Sequence, residues 1–250
     1  MIAHYARCRA HAVFFTLPLP PPLAQLVVGD DSGGCTVWRR AAPGFAGFVA
    51  VASLPEHSRP VRAVAALPRV AGGAFAAGGF ATGCADGLVR LYALQRGADD
   101  AVSGAALVMA LAGHGHYVTS LSVAPWGALL SGSWDGTARE WDIASGACTA
   151  VLGGQENGVC VLGLPDGAVA TGSTGRKDDS GRHVDYKIRV WRRAAAGAPY
   201  AVTATLSQHE QAVRDLAALP GGGFASAGND GAVRSGCDSP GCGLPTACRI

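Results

Sequence analysis

Residues 118–124 read VTSLSVA, apolar and small polar residues in strict alternation, the period-two pattern of a half-buried strand. Pro125-Trp126-Gly127 turns the chain, and residues 128–133 (ALLSGS) form a second predicted strand. Asp135-Gly136 is a tight-hairpin dipeptide. It leads into a third strand over 138–141 and, after the Ser145-Gly146 turn, a fourth over 148–152 (CTAVL). This pattern has the period of strands, and helices play no part in the reading.

The four-strand pattern repeats along the chain. Five segments align on a turn residue followed six positions later by an aromatic: 32-SGGCTVW-38, 86-DGLVRLY-92, 135-DGTAREW-141, 185-DYKIRVW-191 and 230-DGAVRSG-236. Ser32 takes the aspartate's place in the first, and Gly236 the aromatic's in the last. Trp38, Tyr92, Trp141 and Trp191 follow one another at 54, 49 and 50 residues. Upstream lies a second mark, His57, His114 and His209, with Gln155 in its place in the fourth unit. Both His114 to Asp135 and His209 to Asp230 are 21 residues. Four short strands per unit, repeated at this period, predict an all-β propeller of about five four-stranded blades, because a lone blade cannot bury both faces. The units fall at about 10–45, 55–100, 113–150, 153–195 and 208–234, with an irregular tail over 235–250.

The marked residues have a structural use within such a blade. The turn aspartate (Asp86, Asp135, Asp185, Asp230) can accept from backbone amides and from the upstream histidine. That histidine can reach a serine on the second strand, and the serine an indole N–H on the third. In the third unit these are His114, Ser133, Asp135 and Trp141; His209 with Asp230, and Trp191 with Asp185, hold the corresponding places. The set mimics a Ser/His/Asp triad in composition, but its residues are accounted for as the polar tie of a buried hairpin, so no catalytic residue is assigned.

Composition narrows the function. Of 250 residues, 49% are hydrophobic and 15% charged, with mean hydropathy +0.22, enough apolar content for a large core and too much for a disordered chain. A net charge of +2 gives no footprint for nucleic acid or a membrane surface. The most apolar run, 12–28, is broken by prolines from Pro18 to Pro22, so neither a cleaved leader nor a spanning helix is expected there. Five of the eight cysteines are scattered through patterned segments, as reduced thiols are. Cys237, Cys242 and Cys248 lack the paired spacing of a zinc site, and His114-x-His116 has no third ligand at a useful distance, so no metal is expected. Residues 171–177 (TGSTGRK) depart from the phosphate-loop frame and precede Asp178-Asp179; the run is read as a solvated hairpin extension, and no cofactor is assigned. Gly221-Gly222-Gly223 is a hairpin turn, since no helix follows it.

Gly113-His114, Trp141-Asp142 and the period resemble WD-repeat proteins. The runs 129-LLSGSWDGTAREW-141 and 209-HEQAVRDLAALPGGGFASAGNDGAVR-234, with 113-GHGHYVTSLS-122, look like the third and fifth blades of the phospholipase A2-activating protein family, ubiquitin-binding cofactors of the p97 segregase. The resemblance covers roughly residues 50–234. It implies a seven-bladed propeller that binds ubiquitin or ubiquitinated proteins in degradation and ubiquitin recycling, in the cytoplasm or nucleus. In that family two more blades, a ubiquitin-binding domain and a helical segregase-binding domain follow. A p97 segregase is thus expected as a partner only where such domains are present, and the chain is expected to be a shortened product.

In a propeller, binding residues sit beside the turn aspartate and near the start of the first strand. Those positions are Trp134 and Asn229, with Arg62, Tyr117, Thr119 and Arg214. Trp134 is not needed for the aspartate–indole tie, and tryptophan with tyrosine and arginine is hot-spot composition. By the resemblance these six are ubiquitin contacts. A WD scaffold for another partner, or a gene fragment without independent function, is the alternative.

Overall fold

In a computed structural model, the described residues are 6–7, 12–17, 25–40, 47–70, 73–155, 157–177, 183–184, 186–195, 197–220, 222–236 and 248–249. Every regular element among them is a β-strand, and none is a helix able to cross a membrane. The chain divides into two compact units, residues 1–118 and 119–250.

The first unit holds two antiparallel sheets. One runs through Ala6–Arg7, Ala12–Leu17, Gln25–Asp30, Cys35–Arg40 and Phe48–Leu54 in that order. The other is the meander Val61–Leu67, Gly79–Cys84, Val89–Arg96 and Val102–Leu111. Their shared core contains Val27, Val37, Val64, Phe80 and Tyr92, each 0% exposed, with the Phe80 and Tyr92 rings stacked at 5.0 Å. Each such side chain contributes about 1.5–3 kcal/mol by leaving water.

The second unit contains three sheets, the first opening at its edge with Val118–Val123 and continuing through Leu129–Ser133, Ala138–Trp141 and Cys148–Leu152. The next is Val159–Gly163, Val169–Ser173, Ile188–Arg193 and Tyr200–Leu206, and the last is Val213–Ala218, Phe224–Gly228, Ala232–Gly236 and Cys248–Arg249. All five are the meandering four-strand blades that the repeat predicts, the first with one extra strand. The observed sheets reach further than the units read from the sequence. Phe48–Leu54, Val102–Leu111 and Tyr200–Leu206 are fourth strands lying past those bounds, in segments without a turn mark to announce them. The tail also departs from expectation. Ser235 and Gly236 complete a strand, and Cys248 and Arg249 pair with Val233 and Ala232. Cys8, Cys237 and Cys242 lie outside the described residues.

Two local devices recur. At Trp38, Tyr92, Trp141 and Trp191 the ladder to the fourth strand slips by one residue, a bulge that re-aims each ring. In two of these bulges a threonine on the fourth strand, Thr149 or Thr203, donates at 3.3 Å to the carbonyl just before the tryptophan. The second device is a glycine on the second strand. A Cβ on Gly29 would come 2.5 Å from Val61 Cγ1, one on Gly83 2.7 Å from Val118 Cγ1, and one on Gly172 2.6 Å from Val213 Cγ1. On Gly132 it would run into the Val159 carbonyl. In each case the valine opens the first strand of a sheet; where glycine and valine belong to two sheets of one unit, as at Gly29, Gly132 and Gly172, the missing side chain is what lets those sheets close up.

Candidate functional site

The polar tie inside each blade comes first, because it decides which marked residues are structural. In the fourth sheet, Thr171 is fully buried; its Oγ1 accepts from Trp191 Nε1 at 2.8 Å and from Gln155 Nε2. In the third, Trp141 Nε1 donates at 2.8 Å to Ser131 Oγ, not to Ser133 as the sequence suggested. The register explains the correction. Trp141 pairs with Leu129 and Arg139 with Ser131, so Ser131 is two positions along the ladder, about 7 Å, and Ser133 is four, about 13 Å. Ser133 instead accepts from Asp135 N at 3.1 Å, and Asp135 accepts from Thr137 N at 2.9 Å in the turn. His114 is half-buried, and its carbonyl occupies the space that a Cβ on Gly87 would need.

The second and fifth sheets use the same position differently. His57 Nε2 meets Thr82 Oγ1 at 2.8 Å, while Asp86 is held by Arg90 at 2.7 Å. Burial and the Arg90 charge both push the His57 imidazole toward its neutral form, below its ordinary pKa. In the fifth, His209 Nε2 meets Ser226 Oγ at 2.8 Å, and its Nδ1 lies 3.1 Å from both Asp230 oxygens. Arg234 Nη1 is 2.7 Å from that Nδ1 and 2.6 Å from Asp230 Oδ2. Nδ1 thus sits between Arg234, which only donates, and the Asp230 carboxylate, which only accepts, and the two charged groups also bond each other directly. Burial raises the Asp230 pKa, but Arg234, the Glu210 amide and His209 outweigh it and hold the carboxyl well below the usual range. Asp185 lies outside the described residues.

Two features of these ties were missed in the sequence. Arg90, Arg139, Arg189 and Arg234 stand two residues before each third-strand aromatic position, a recurrence that spacing alone could have found. Three of them serve the tie: Arg90 and Arg234 bind the turn aspartate, and Arg189 Nη1 donates to Gln155 Oε1 at 2.7 Å. In the fifth sheet Phe224, opposite Gly236, stacks its ring where a Gly236 Cβ would stand, 2.6 Å from Phe224 Cζ. The aromatic has thus moved across the ladder. In the first sheet Asp30, rather than Ser32, is the turn carboxylate, accepting from Ser32 N at 2.8 Å and Gly34 N at 2.7 Å.

With these residues assigned to the scaffold, a pocket of about 260 Å³ remains in the second unit. Trp134, 43% exposed, lines it next to Asn157. Ala212, Arg214 and Asn229 close the other side, and Arg214 Nε donates to Asn229 Oδ1 at 2.9 Å. Three of the six sequence-selected residues, Trp134, Arg214 and Asn229, therefore meet in one site. Thr119 is half-buried in Val118–Val123. Arg62 and Tyr117 belong to the first unit, where Arg62 pairs with Asp31 at 3.2 Å and the Tyr117 ring packs 4.2 Å from His116.

The third wall comes from the fourth-unit insertion. Arg176–Lys177 pairs with His183–Val184 in a two-stranded ribbon, a hairpin extension as expected, but its base builds the pocket. Tyr186 lies against Gly175, where a Cβ would come 2.6 Å from the Tyr186 ring; with φ +77° this position suits only glycine. Asn157, at φ +58°, donates from Nδ2 to the Gly175 carbonyl at 2.7 Å, and Thr174 N donates to the Gly158 carbonyl at 2.8 Å. No acidic side chain is among the described residues that line it. Among the described residues, no group of three or more His, Cys, Asp or Glu is placed to hold a metal ion.

Comparison with known proteins agrees with the blade geometry. Residues 105–142 and 201–235 match the family "WD domain, G-beta repeat". The chain is 30% identical over 129 residues to "Ribosome biogenesis protein WDR12 homolog" of Chlamydomonas reinhardtii, covering 50% of this chain and 27% of that protein. It is 37% identical over 94 residues to "Mitochondrial division protein 1" of Mycosarcoma maydis, 37% of this chain and 10% of that one. It is also 37% identical over 83 residues to "Cell division control protein 4" of Saccharomyces cerevisiae, 33% of this chain and 10% of that protein. The matched stretch thus spans about a quarter or less of these relatives. WD repeats are in general non-catalytic interaction scaffolds, and these relatives support that coarser class rather than the ubiquitin-binding family in particular. Residues 105–142 and 201–235 are thus WD40 repeats, each set in a four-stranded sheet with an aspartate turn and a buried polar tie.

Proposed function

We propose that the chain is a non-catalytic scaffold that docks partner proteins in the pocket between Trp134, Tyr186 and Arg214. The exposed indole carries this reading. Trp141 in the same sheet is 2% exposed and bonded into the blade, whereas Trp134 is 43% exposed beside a concavity. An aromatic and an arginine at a recess are what interface hot spots are made of. The pocket's 260 Å³ lies below the roughly 300–1,000 Å³ of small-molecule sites and suits one or two side chains of a partner. The buried free thiols Cys35, Cys84 and Cys160 support a reducing compartment, cytoplasm or nucleus. The test compares proteins retained by the immobilised chain and by Trp134→Ala of equal thermal stability. The scaffold reading requires a set of partners lost with the indole, and identical sets refute this docking site.

A second reading names ubiquitin as the partner, supported by the resemblance of runs 113–122, 129–141 and 209–234 to the phospholipase A2-activating protein family. Immobilised ubiquitin should then retain the chain weakly and release the Trp134→Ala variant. No retention refutes ubiquitin while leaving the scaffold reading in place.

A further inference from the structure

We infer that the pocket beside Trp134 takes a partner segment in which a carboxylate stands next to a bulky apolar side chain; this rests on the docking reading above and specifies its ligand.

The charge of the site gives the first half. Among the described residues, Arg214 is the one charged side chain lining the pocket, and it is exposed. Its Nε is already committed to Asn229 Oδ1 at 2.9 Å, which fixes the guanidinium plane and leaves the two terminal nitrogens as the presented edge. That edge is the fork that matches a carboxylate. Asn229 reinforces it: its backbone N–H goes to the Ala212 carbonyl at 2.9 Å and its side-chain oxygen to Arg214. The Asn229 amide nitrogen therefore remains as a further donor on the same side.

The rings give the second half. Trp134 and Tyr186 line the same pocket, and each packs on a glycine. Trp134 Nε1 lies 2.8 Å from where a Gly158 Cβ would stand, and Tyr186 packs on Gly175. They offer an apolar recess above two glycines that the Asn157–Gly175 and Thr174–Gly158 bonds tie in place. Donors and rings lining one small pocket select a ligand with the two complementary groups side by side. The fourth-unit insertion thus acts as a specificity element, because Thr174, Gly175 and Tyr186 all come from its base.

Random peptides displayed on phage and selected on the full chain test this. The expected consensus places Asp or Glu within a residue or two of a large apolar residue. A synthetic fluorescein-labelled peptide of that consensus should bind about 10- to 100-fold more tightly than its Asp→Asn or Glu→Gln counterpart, the range of a charge-assisted hydrogen bond. Arg214→Gln should erase that difference, Arg214→Lys should restore part of it, and Trp134→Ala should remove the apolar preference. A Trp134-dependent consensus with no acidic position overturns the inference and leaves the docking site standing. Peptides that Trp134→Ala binds equally well, or no enrichment at all, overturn both.

Discussion

Thr171→Val isolates the polar tie of a blade in one atom. Valine has nearly the shape of threonine, and Thr171 is fully buried, so no cavity opens. What disappears is Oγ1, the acceptor for both Trp191 Nε1 and Gln155 Nε2. Each buried donor left unpaired costs about 1–3 kcal/mol, giving about 2–6 kcal/mol for the pair. The added methyl returns about 0.8 kcal/mol. A net loss of about 1–5 kcal/mol is a sizeable share of the ~5–15 kcal/mol that holds a domain folded. Urea unfolding followed by tryptophan fluorescence reads it. With a slope of about 1–3 kcal/mol/M, the midpoint of the second unit's transition should fall by at least about 0.4 M at unchanged slope. Ser131→Ala removes the acceptor of a single indole and should cost about half as much, while Gln155→Met in the Thr171→Val background should recover part of the loss. A loss below about 1 kcal/mol would refute the reasoning, since it would mean that both donors find other partners and the tie is not what orders the blade.

Three further outcomes follow from the same geometry. Gly132→Ala drives a Cβ into the Val159 carbonyl and should destabilise by at least about 1–3 kcal/mol, read as a lowered Tm, whereas Ala227→Gly at the matching place in the fifth sheet should cost less than about 1 kcal/mol. His57 is held neutral, so its unfolded form takes up a proton first as pH falls below about 6.5. Stability of the first unit should therefore decline with acidification from that point down through the depressed folded pKa. His57→Gln, which copies Gln155, should flatten that part of the curve in urea titrations at several pH values. Glu140, 4% exposed, is pushed up by burial but held down more strongly by Arg193, Tyr200 and Thr149. Its contribution is present above about pH 4.5 and is lost as pH falls through its lower folded pKa. Glu140→Gln at neutral pH should cost about 3 kcal/mol by unpairing Arg193, and the variant should lose the acid-dependent part of the decline.

What could be read in advance was local. Strand alternation in 118–124, the Asp-Gly turns and the recurring aromatic each lie within a few residues, so the five sheets and the role of the marked residues as ties were accessible. What failed depended on distance along the fold. Choosing Ser133 over Ser131 needed the cross-strand register, not the strand pattern. The cluster of Glu140 with Arg193 and Tyr200 joins residues 53 and 60 positions apart, with the guanidinium 4.2 Å over the tyrosine ring, and no motif announces it. Phe224 taking over from the aromatic missing at 236 is a compensation between two strands. The pocket was half visible: Trp134, Arg214 and Asn229 could be named from blade position, but Tyr186 enters through an insertion whose length carried no sign of use.

The glycine–valine meetings between consecutive sheets amount to a common fitting. Within each unit, Gly29, Gly132 and Gly172 each offer an absent Cβ, and Val61, Val159 and Val213 each arrive at that vacancy. Because every fitting uses the same two positions of the repeat, a sheet bearing both is interchangeable with its neighbours at its borders, whatever else its sequence does. Whole repeats can then be duplicated or lost in evolution without redesigning the contacts that remain. A damaged fitting is felt by the two sheets that share it and is diluted beyond them. Ala227, standing where the other four sheets carry glycine, is where this rule of exchange changes within the described chain.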